Sequence, residues 1–417
     1  MNRQIKENNQ GNCIKIKYIF DMNRNQINSN DLDNLLTFHY SIPNVQELGT
    51  GLIENGTDIS SNKFLISKEQ LLVSKLNPRK STICIASPNN KLTICSTEFI
   101  SLIPRNSNID LKFAYYIFSM KETTKLLDSM VESVTKSHQR VQPEKFANLY
   151  FPIISYQEQI LISKYLDKKT QKIDSLIEKI ETKIELLEEQ KTTLINQYVT
   201  KGLDPNKEMK DSGVDWIGEI PKSWELKKLK YFSEIIYGIS PSEKTYNDKG
   251  IGTLLINGPV EYSKEDFGLT RSVKWTTEPT KIVQKGSLLF CLRGSTTGRM
   301  NITHEEVSIG RGVCAIQSKF DQDFLVFAMM MVRIYIQDQI SGSTFPSVTK
   351  DDVDNFIIPL PDYEEQKNIS SKLKSKTKIF EQYIKLNNNK IKLLKEYKES
   401  LITSTVNGNI RITEDML

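Results

Sequence analysis

Short motifs that could carry catalysis occur in this sequence only as fragments. A loop for methylating an exocyclic amine requires Asn or Asp followed by two prolines and an aromatic residue, but Asn77-Pro-Arg and Asp204-Pro-Asn lack the second proline and the aromatic ring. The phosphate-binding pattern Gly-x-x-x-x-Gly-Lys-Ser/Thr does not occur, and Gly49-Thr-Gly51 is too short to indicate a cofactor loop. Gly294-Ser-Thr-Thr-Gly298 has the glycines of a turn but no lysine. The sequence therefore favours a chain that performs no catalysis.

Two polar groups have spacings that could suggest acid–base or metal chemistry. Asp362 and Glu365 lie too close together along the chain for a nuclease metal site, and they are better interpreted as the start of a helix, with Asp362 as its cap. His138 lies in a basic stretch, 136–140, but no partner for a nucleophilic or general-base role is identifiable. We expect neither a metal nor a cofactor in this chain.

The composition is that of a folded, water-exposed protein with several domains. The chain has 417 residues, 38% hydrophobic and 26% charged, with a net charge of +5. Five scattered cysteines form no CxxC pair, which argues against a disulfide framework or a zinc ribbon. The longest apolar run, 324–332, is much shorter than the roughly 20 residues of a membrane span, and the polar N-terminus does not resemble a secretory signal. We therefore expect a cytoplasmic protein with no membrane partner.

An internal repeat organises the chain. Shifting the sequence by 207 residues aligns 141–203 with 348–410 without a gap, and 21 of the 63 positions are identical. The anchor Pro152-x-x-x-Tyr-x-Glu-Gln159 recurs as Pro359-x-x-x-Tyr-x-Glu-Gln366. Chance similarity between two Lys/Leu/Ile-rich helices is the alternative, but the anchor is not helix composition. The repeat unit is therefore roughly half of the chain.

A long helix with a coiled-coil pattern follows each anchor. Apolar residues recur at alternating spacings of four and three, which predicts an a/d seam. The predicted seam residues are Ile173, Ile177, Ile180, Ile184, Leu187 and Leu194 in the first helix, and Phe380, Ile384, Asn387, Ile391, Leu394 and Leu401 in the second. Asn387 is a polar seam residue of the kind that fixes register. Gly202 and Gly408 are expected to end the helices.

The charges of the two helices indicate that they pair with each other. Residues 174–189 contain six acidic residues and two lysines, whereas 372–398 contain nine lysines and two glutamates. Opposite charge favours antiparallel pairing within one chain over pairing of each helix with its own copy. Two solvated helices packed on separate domains are the alternative.

The regions before the anchors diverge and consist of short β-type runs broken by turns, each followed by a helical stretch. We predict an α+β fold, in which two mixed α/β domains are separated by two long helices that form an antiparallel coiled coil with an internal pseudo-twofold repeat. The predicted segments are a first domain at 1–155, a central helix at 156–203, a linker or docking segment at 204–224, a second domain at 225–362, and a C-terminal helix and tail at 363–417.

These features resemble the specificity subunit of type I restriction–modification systems over essentially the whole chain. The resemblance is strongest at Asn148–Gln159, Thr200–Asp204, Asp211–Trp224, and Gly342–Pro346 followed by Ile358–Gln366. Two departures occur. The chain has no full upstream copy of Trp216-Ile-Gly-Glu-Ile-Pro221, so we expect a shortened or diverged start, and the first Gly-Ser-Thr-like turn is degenerate.

The resemblance implies two target-recognition domains and no catalysis in this subunit. It implies double-stranded DNA as a partner, together with two modification subunits that use S-adenosylmethionine to methylate adenines. It also implies two restriction subunits that use ATP and Mg²⁺ for translocation and cleavage. A helix of about 40 residues spans about 60 Å, enough to hold two domains about one DNA turn apart. Because the two domains differ in sequence, the expected target is asymmetric and in two parts.

Polar and basic residues on loops are the expected base-reading residues. The candidates are Arg79, Lys80, Arg105, Lys136, His138 and Arg140 in the first domain, and Arg293, Ser295, Thr296, Arg299, Arg311, Thr344 and Phe345 in the second. For each of them, a phosphate contact or a solvated surface position is the alternative. Two rival functions remain open, namely a coiled-coil scaffold that does not bind DNA and the recognition subunit of a modification-only system.

Overall fold

The computed structural model describes residues 13–131, 139–265, 267–294, 296–340 and 347–417, with only the backbone at 337–340. Within these ranges no helix is both long enough and apolar enough to cross a membrane. The chain forms two compact units. The first consists of residues 1–181 and 388–417, and the second of residues 182–387. Each long helix therefore contributes to both units.

The described residues of the first half form eleven short strands and five α-helices before the linker. The strands are β1 (Cys13–Lys15), β2 (Phe20–Met22), β3 (Gln26–Ile27), β4 (Leu36–Tyr40), β5 (Leu52–Asn55), β6 (Lys63–Leu65), β7 (Gln70–Ser74), β8 (Ile83–Ala86), β9 (Leu92–Ser96), β10 (Phe99–Pro104) and β11 (Tyr150–Pro152). The helices are α1 (Ile42–Leu48), α2 (Leu111–Ser119), α3 (Lys121–Ser129), α4 (Pro143–Ala147) and α5 (Tyr156–Lys201).

The strands that the structure describes in the first unit form three sheets. β1 pairs with β11, a four-stranded antiparallel sheet has the order β2-β10-β7-β8, and a five-stranded sheet has the order β3-β6-β9-β4-β5. β4 and β9 are parallel neighbours at the centre of the five-stranded sheet, with Phe38 opposite Thr93. Residues from β4, β7, β8 and β9 form one buried apolar cluster, so the two larger sheets share a core.

The second half repeats this plan with different sequences. Its strands are β12 (Met209–Asp211), β13 (Glu219–Pro221), β14 (Glu225–Lys228), β15 (Ser233–Tyr237), β16 (Tyr246–Asn247), β17 (Thr253–Ile256), β18 (Trp275–Thr276), β19 (Ile282–Val283), β20 (Leu288–Cys291), β21 (Met300–Ile302), β22 (Val307–Ile309), β23 (Val313–Ser318) and β24 (Ile357–Leu360). Its helices are α6 (Leu229–Phe232), α7 (Gln322–Ile340), α8 (Lys350–Asp354) and α9 (Tyr363–Val406).

The sheets of the second unit correspond to those of the first. β14 pairs with β24, a four-stranded sheet has the order β15-β23-β20-β21, and a five-stranded sheet has the order β16-β18-β17-β22-β19. β17 and β22 are again parallel neighbours. The segment that sequence reasoning treated as a loop between the long helices contains the hairpin of β12 and β13, because Asp211 and Gly213 form a tight turn between two short extended runs.

The two long helices begin and end with local signals in the sequence. The Ser155 hydroxyl accepts a hydrogen bond from the Glu158 N–H at 3.2 Å, and the Asp362 carboxylate accepts one from the Glu365 N–H at 2.9 Å. These side chains satisfy backbone donors of the first turn. The prediction of Asp362 as a cap is confirmed. Gly202 follows the first helix with a φ of 76°, a left-handed conformation typical of a helix C-terminus.

The two helices run antiparallel to each other within each unit. In the first unit, Lys398 contacts Asp174 at 2.6 Å and Lys395 contacts Glu181 at 4.0 Å. In the second unit, Lys191 contacts Glu381 at 2.8 Å. The predicted pairing of α5 with α9 through opposite charge is therefore confirmed. Such exposed ion pairs contribute at most about 1 kcal/mol each, so burial of apolar residues supplies most of the stability.

The predicted seam residues are the less exposed residues of both helices. The buried ones are Ile173, Ile177, Asn387, Ile391 and Leu401, and the half-buried ones are Ile180, Ile184, Leu187, Leu194, Phe380, Ile384 and Leu394. The Asn387 amide donates to the Tyr383 carbonyl at 2.9 Å, one turn back on its own helix. Burial follows the alternating four–three spacing because one stripe of each helix is covered.

Candidate nucleic-acid interface

A tight turn joins β7 and β8 in the first unit and carries basic residues at its tip. Residues 78–80 form one turn of 3-10 helix, and the Lys80 N–H donates to the Asn77 carbonyl at 3.0 Å. Asn77 and Ser81 have φ values of 47° and 48°. Such left-handed conformations are uncommon for residues other than glycine, so the fold around the turn enforces them. The turn presents Arg79 and Lys80 to solvent.

The turn between β20 and β21 has the same backbone shape in the second unit. Gly294 and Gly298 lie at the positions of Asn77 and Ser81, with φ values of 87° and 80°. The Thr297 N–H donates to the Gly294 carbonyl at 3.0 Å, which matches the hydrogen bond of the first turn. The two turns therefore share one framework and carry different side chains. We call them the reading turns, 75–82 and 292–299.

A second segment of each unit lies against its reading turn. In the first unit the Asn77 N–H donates to the Gln139 carbonyl at 2.7 Å, and the Val141 N–H donates to the Lys75 carbonyl at 2.9 Å. In the second unit the Val348 N–H donates to the Leu292 carbonyl at 3.1 Å. Each segment precedes the repeated Pro-x-x-x-Tyr anchor, so the fold brings together two polar regions that lie about 60 residues apart in sequence.

A third segment completes the edge in both units. The Lys75 N–H donates to the Glu98 carbonyl at 3.0 Å, and the Leu292 N–H donates to the Gly312 carbonyl at 2.9 Å. Glu98 and Gly312 follow β9 and β22, the second strands of the two parallel pairs. Each unit thus presents a recognition edge made of a reading turn and two supporting segments.

The sequence matches the model of a known protein family. The model of the type I restriction modification DNA specificity domain matches residues 14–186 and again residues 221–396. The two matches together cover most of the chain. This chain belongs to that family.

Two relatives agree with the assignment. The chain is 27% identical over 366 residues to a putative type I restriction enzyme MjaX specificity subunit of Methanocaldococcus jannaschii, covering 85% of this chain and 81% of that protein. It is 24% identical over 404 residues to the type I restriction enzyme MjaVIII specificity subunit of the same organism, covering 91% and 88%. The family assignment therefore holds across nearly the full length.

Solved structures show the same fold. One, described in work on the complex assembly and conformational transition of the type I R-M system, has a TM-score of 0.78 at 18% identity and covers 95% of this chain and 98% of that chain. The HsdS subunit from Thermoanaerobacter tengcongensis has a TM-score of 0.52 at 18% identity, covering 95% and 97%. The two mixed α/β domains with two long helices are thus the fold of specificity subunits.

The predicted residues of the first recognition edge differ in their surroundings. The Arg79 guanidinium donates to the Gln139 side chain at 3.2 Å, within the edge. Arg140 donates two hydrogen bonds to the Glu98 carboxylate at 2.9 and 3.1 Å, which raise the pKa of its guanidinium. Arg105 lies at the far end of β10, 2.9 Å from Asp21, and does not join the reading turn.

The predicted residues of the second edge also divide. Arg293 is exposed and pairs in a backbone bridge with Ser347, and Arg311 is exposed beside Gly312. Arg299 is half-buried, and its guanidinium donates to the Ser263 carbonyl. Thr296 is half-buried within the turn. Five predicted residues lie outside the described residues, namely Lys136, His138, Ser295, Thr344 and Phe345.

Sequence reasoning missed several residues of the edges, among them Gln139, Lys75 and Gln46. The Gln46 side chain on α1 donates to the Thr82 hydroxyl at 2.9 Å and so ties α1 to the end of the first reading turn. Arg299 occupies the matching position of the second turn and ties it to the loop before β18 through Ser263. The sequences of the two halves hardly match in this region. Aligning the halves could therefore have identified these residues only if the strand register had been known.

Metal-binding side chains do not cluster in the part of the specificity subunit that the structure describes. There, no group of three or more His, Cys, Asp or Glu side chains could hold a metal ion. Burial raises the pKa of the Cys84 thiol to about 12 and also raises the pKa of Cys95, so neither is a reactive thiolate at neutral pH.

Proposed function

We propose that this chain is the DNA-recognition subunit of a type I restriction–modification complex and that it performs no chemistry itself. One observation carries the proposal: two recognition edges share a backbone framework, yet their reading turns carry Asn-Pro-Arg-Lys-Ser in one unit and Gly-Ser-Thr-Thr-Gly in the other. Arg and Lys donate to guanine, whereas Ser and Thr make less selective contacts. The two edges therefore read different half-sites, and the target is asymmetric.

The partners are double-stranded DNA, two modification subunits and two restriction subunits. S-adenosylmethionine belongs to the modification subunits, and ATP with Mg²⁺ belongs to the restriction subunits. The antiparallel helices serve as a fixed spacer and as docking frames for the modification subunits. Adenine within a duplex is inaccessible to a methyltransferase, which must therefore flip it out of the stack. This subunit determines where on the DNA the adenine is flipped out.

The test is to map methylated adenines in the host genome with and without this gene. We expect a motif of two unlike halves, separated by a fixed unread gap, that loses methylation on deletion. Replacing residues 225–355 with the corresponding domain of another family member should change only one half of the motif. A genome map that does not change on deletion would show that the chain directs no adenine methylation.

Two further measurements separate the rival functions. A coiled-coil scaffold would show no salt-dependent preference for one two-part site over random duplex DNA. A modification-only system would produce the same methylation map but no cleavage of unmethylated target DNA in the presence of ATP. Measuring affinity and cleavage with the reconstituted subunits distinguishes both from the proposed function.

A further inference from the structure

The first unit has a surface cleft beside its recognition edge. The cleft has a volume of about 300 Å³. Its lining includes Arg24, Phe64, Lys75, Thr97, Phe99 and Glu144. Lys75 is the first residue of the reading turn, and Thr97 adjoins Glu98 in the third segment. The cleft is therefore continuous with the edge that we propose to read DNA.

Two cations of the cleft lack protein partners. The Arg24 guanidinium is exposed, and neither it nor the Lys75 ammonium forms a hydrogen bond or an ion pair with the residues that the structure describes. Glu144 contributes one carboxylate at the rim, which leaves the titratable lining with a net positive charge. The Thr97 hydroxyl adds a neutral donor. Guanidinium, ammonium and hydroxyl donors are the groups with which proteins hold DNA phosphates.

In the second unit, the side chain of Tyr237 lies at the position equivalent to Arg24. Met22 lies opposite Leu102 in the first unit, and Ile235 lies opposite Ile316 in the second. Two residues further along, Arg24 and Tyr237 therefore occupy matching positions.

The Tyr237 hydroxyl donates to the Asp354 carboxylate at 2.6 Å, and the Lys350 ammonium lies 4.8 Å from its ring centroid. Lys350 begins α8, the counterpart of α4, which lines the cleft of the first unit through Pro143. In the second unit the Tyr237 ring thus lies at the position where the first unit has its open cleft.

We propose that the cleft of the first unit binds a backbone phosphate of the target duplex, next to the half-site read by residues 75–82. This inference rests on the proposed function. Arg24 and Lys75 hold the phosphate oxygens, and Phe64 and Phe99 form the apolar floor against the sugar. The second unit makes no matching contact because Tyr237 occupies the position. The DNA footprint of the first unit therefore extends one phosphate further than that of the second.

The experiment measures binding of the full chain, with its modification subunits, to a duplex carrying the mapped target. Arg24→Ala should weaken binding about tenfold at moderate salt, the loss expected for one charge-assisted hydrogen-bonded contact. The slope of log affinity against log salt should fall by about 0.9, because one fewer counterion is released. Arg24→Lys should retain most of the slope, and Arg411→Ala, an exposed arginine of the C-terminal tail, should match the wild type.

Phosphate-ethylation interference locates the contact directly. In the wild type, ethylation of one phosphate beside the first half-site should block binding, and this interference should disappear in Arg24→Ala. Thermal unfolding of the variant should be unchanged because the side chain is exposed. If Arg24→Ala keeps the wild-type affinity, slope and interference pattern, the inference is overturned while the proposed function stands.

Two other outcomes overturn the inference in different ways. If Arg24→Ala changes the preferred base at one position rather than weakening all targets equally, Arg24 reads a base and the phosphate assignment is wrong. If the wild type does not distinguish its mapped target from random duplex DNA, the proposed function fails and the inference fails with it.

Discussion

The two reading turns have the same backbone conformation but are built from different residues. Both place left-handed backbone at their third and seventh positions, which are Asn77 and Ser81 in one unit and Gly294 and Gly298 in the other. Glycine adopts this conformation without a steric penalty, whereas serine adopts it at a cost of about 1–2 kcal/mol. The comparison teaches that the shape of the turn is retained even where the residue is unfavourable, because two neighbouring segments hydrogen-bond to it. The side chains at the tip are then free to differ.

The two five-stranded sheets share the arrangement of their central strands but differ in the position of one outer strand. Both are built around a parallel pair, β4 with β9 and β17 with β22. The fifth strand attaches to opposite edges, since β3 pairs with β6 in the first unit and β16 pairs with β18 in the second. The central pair positions the recognition edge, because the segments that hydrogen-bond to the reading turns follow β9 and β22.

The largest expected effect concerns a contact of the second unit that the described residues of the first unit do not repeat. Trp224 is 1% exposed, and its indole N–H donates to the Glu365 carboxylate at 2.9 Å. Glu158, the repeat counterpart of Glu365, is exposed and hydrogen-bonds to Ser155. Trp224→Ala should destabilise the second unit by about 3–5 kcal/mol, the usual cost of removing a buried aromatic residue.

Urea unfolding followed by tryptophan fluorescence measures this effect, because all three tryptophans lie in the second unit. Trp216→Phe is the matched control, since Trp216 is half-buried and stacks on Tyr335. It should shift the midpoint much less. An equal shift for both variants would show that Trp224 has no special role in joining the linker to α9.

The second prediction separates the two recognition edges by specificity. Arg79→Ala should relax one base of the first half-site and leave the second unchanged, at a cost of about 1–3 kcal/mol for the preferred base. Arg299→Ala should do the same in the second half-site only. Competition binding with single-base target variants measures both effects. If Arg299→Ala instead lowers affinity for every target equally, its bond to Ser263 supports the turn and Arg299 does not read a base.

The third prediction exchanges the residues that the two turns use for left-handed backbone. Gly294→Ala should destabilise the second unit by about 1–2 kcal/mol, although no atom lies within 4 Å of the added methyl group, because φ is 87°. Ser81→Gly should be neutral or stabilise the first unit by less than about 1 kcal/mol, since strain relief offsets the added chain entropy. Urea unfolding measures both. Equal destabilisation by the two changes would contradict the shared framework.

The smallest expected effect is a pH dependence confined to the first unit. Burial lowers the pKa of His39, although the hydrogen bond from its Nδ1–H to the Glu54 carboxylate at 2.8 Å opposes this. The unfolded chain therefore binds a proton near pH 6.5 more readily than the folded chain. His39 therefore contributes fully to the stability of the folded state above that pH. This contribution is lost as the pH falls through the lower pKa of folded His39.

Hydrogen exchange of peptides from β4 and β9 measures this dependence between pH 7.5 and pH 5.5, after correction for intrinsic exchange rates. Protection should fall in the wild type and fall less in His39→Gln. Peptides from β17 and β22 provide the internal control, because His39 and its partner Glu54 both belong to the first unit. A parallel loss of protection in both units would indicate a global effect of pH.

Local patterns explain why part of the fold was predictable. The four–three spacing of apolar residues and the opposite charges of 174–189 and 372–398 predicted the antiparallel helix pair, since helical periodicity and charge are visible in any window of sequence. The repeated anchor predicted two similar units. The register of the strands was not predictable, because β4 and β9 pair across about 50 residues of intervening chain. The hairpin of β12 and β13 was missed for a different reason, because its strands are only three residues long and lie among Gly, Pro, Asp and Asn residues that indicate a loop.

The sequence by itself determined that two similar modules with paired helices and unlike domains make up this chain, because repeats, periodicity and charge are properties of the order of residues. Only the tertiary structure decided which residues of those domains meet. Arg79 lies beside Gln139, Arg299 turns to Ser263, and Arg105 lies away from the edge. Contacts across 36 to 60 residues depend on how whole sheets pack, which no local pattern encodes. The same packing left Arg24 open to solvent and placed Tyr237 across the matching gap.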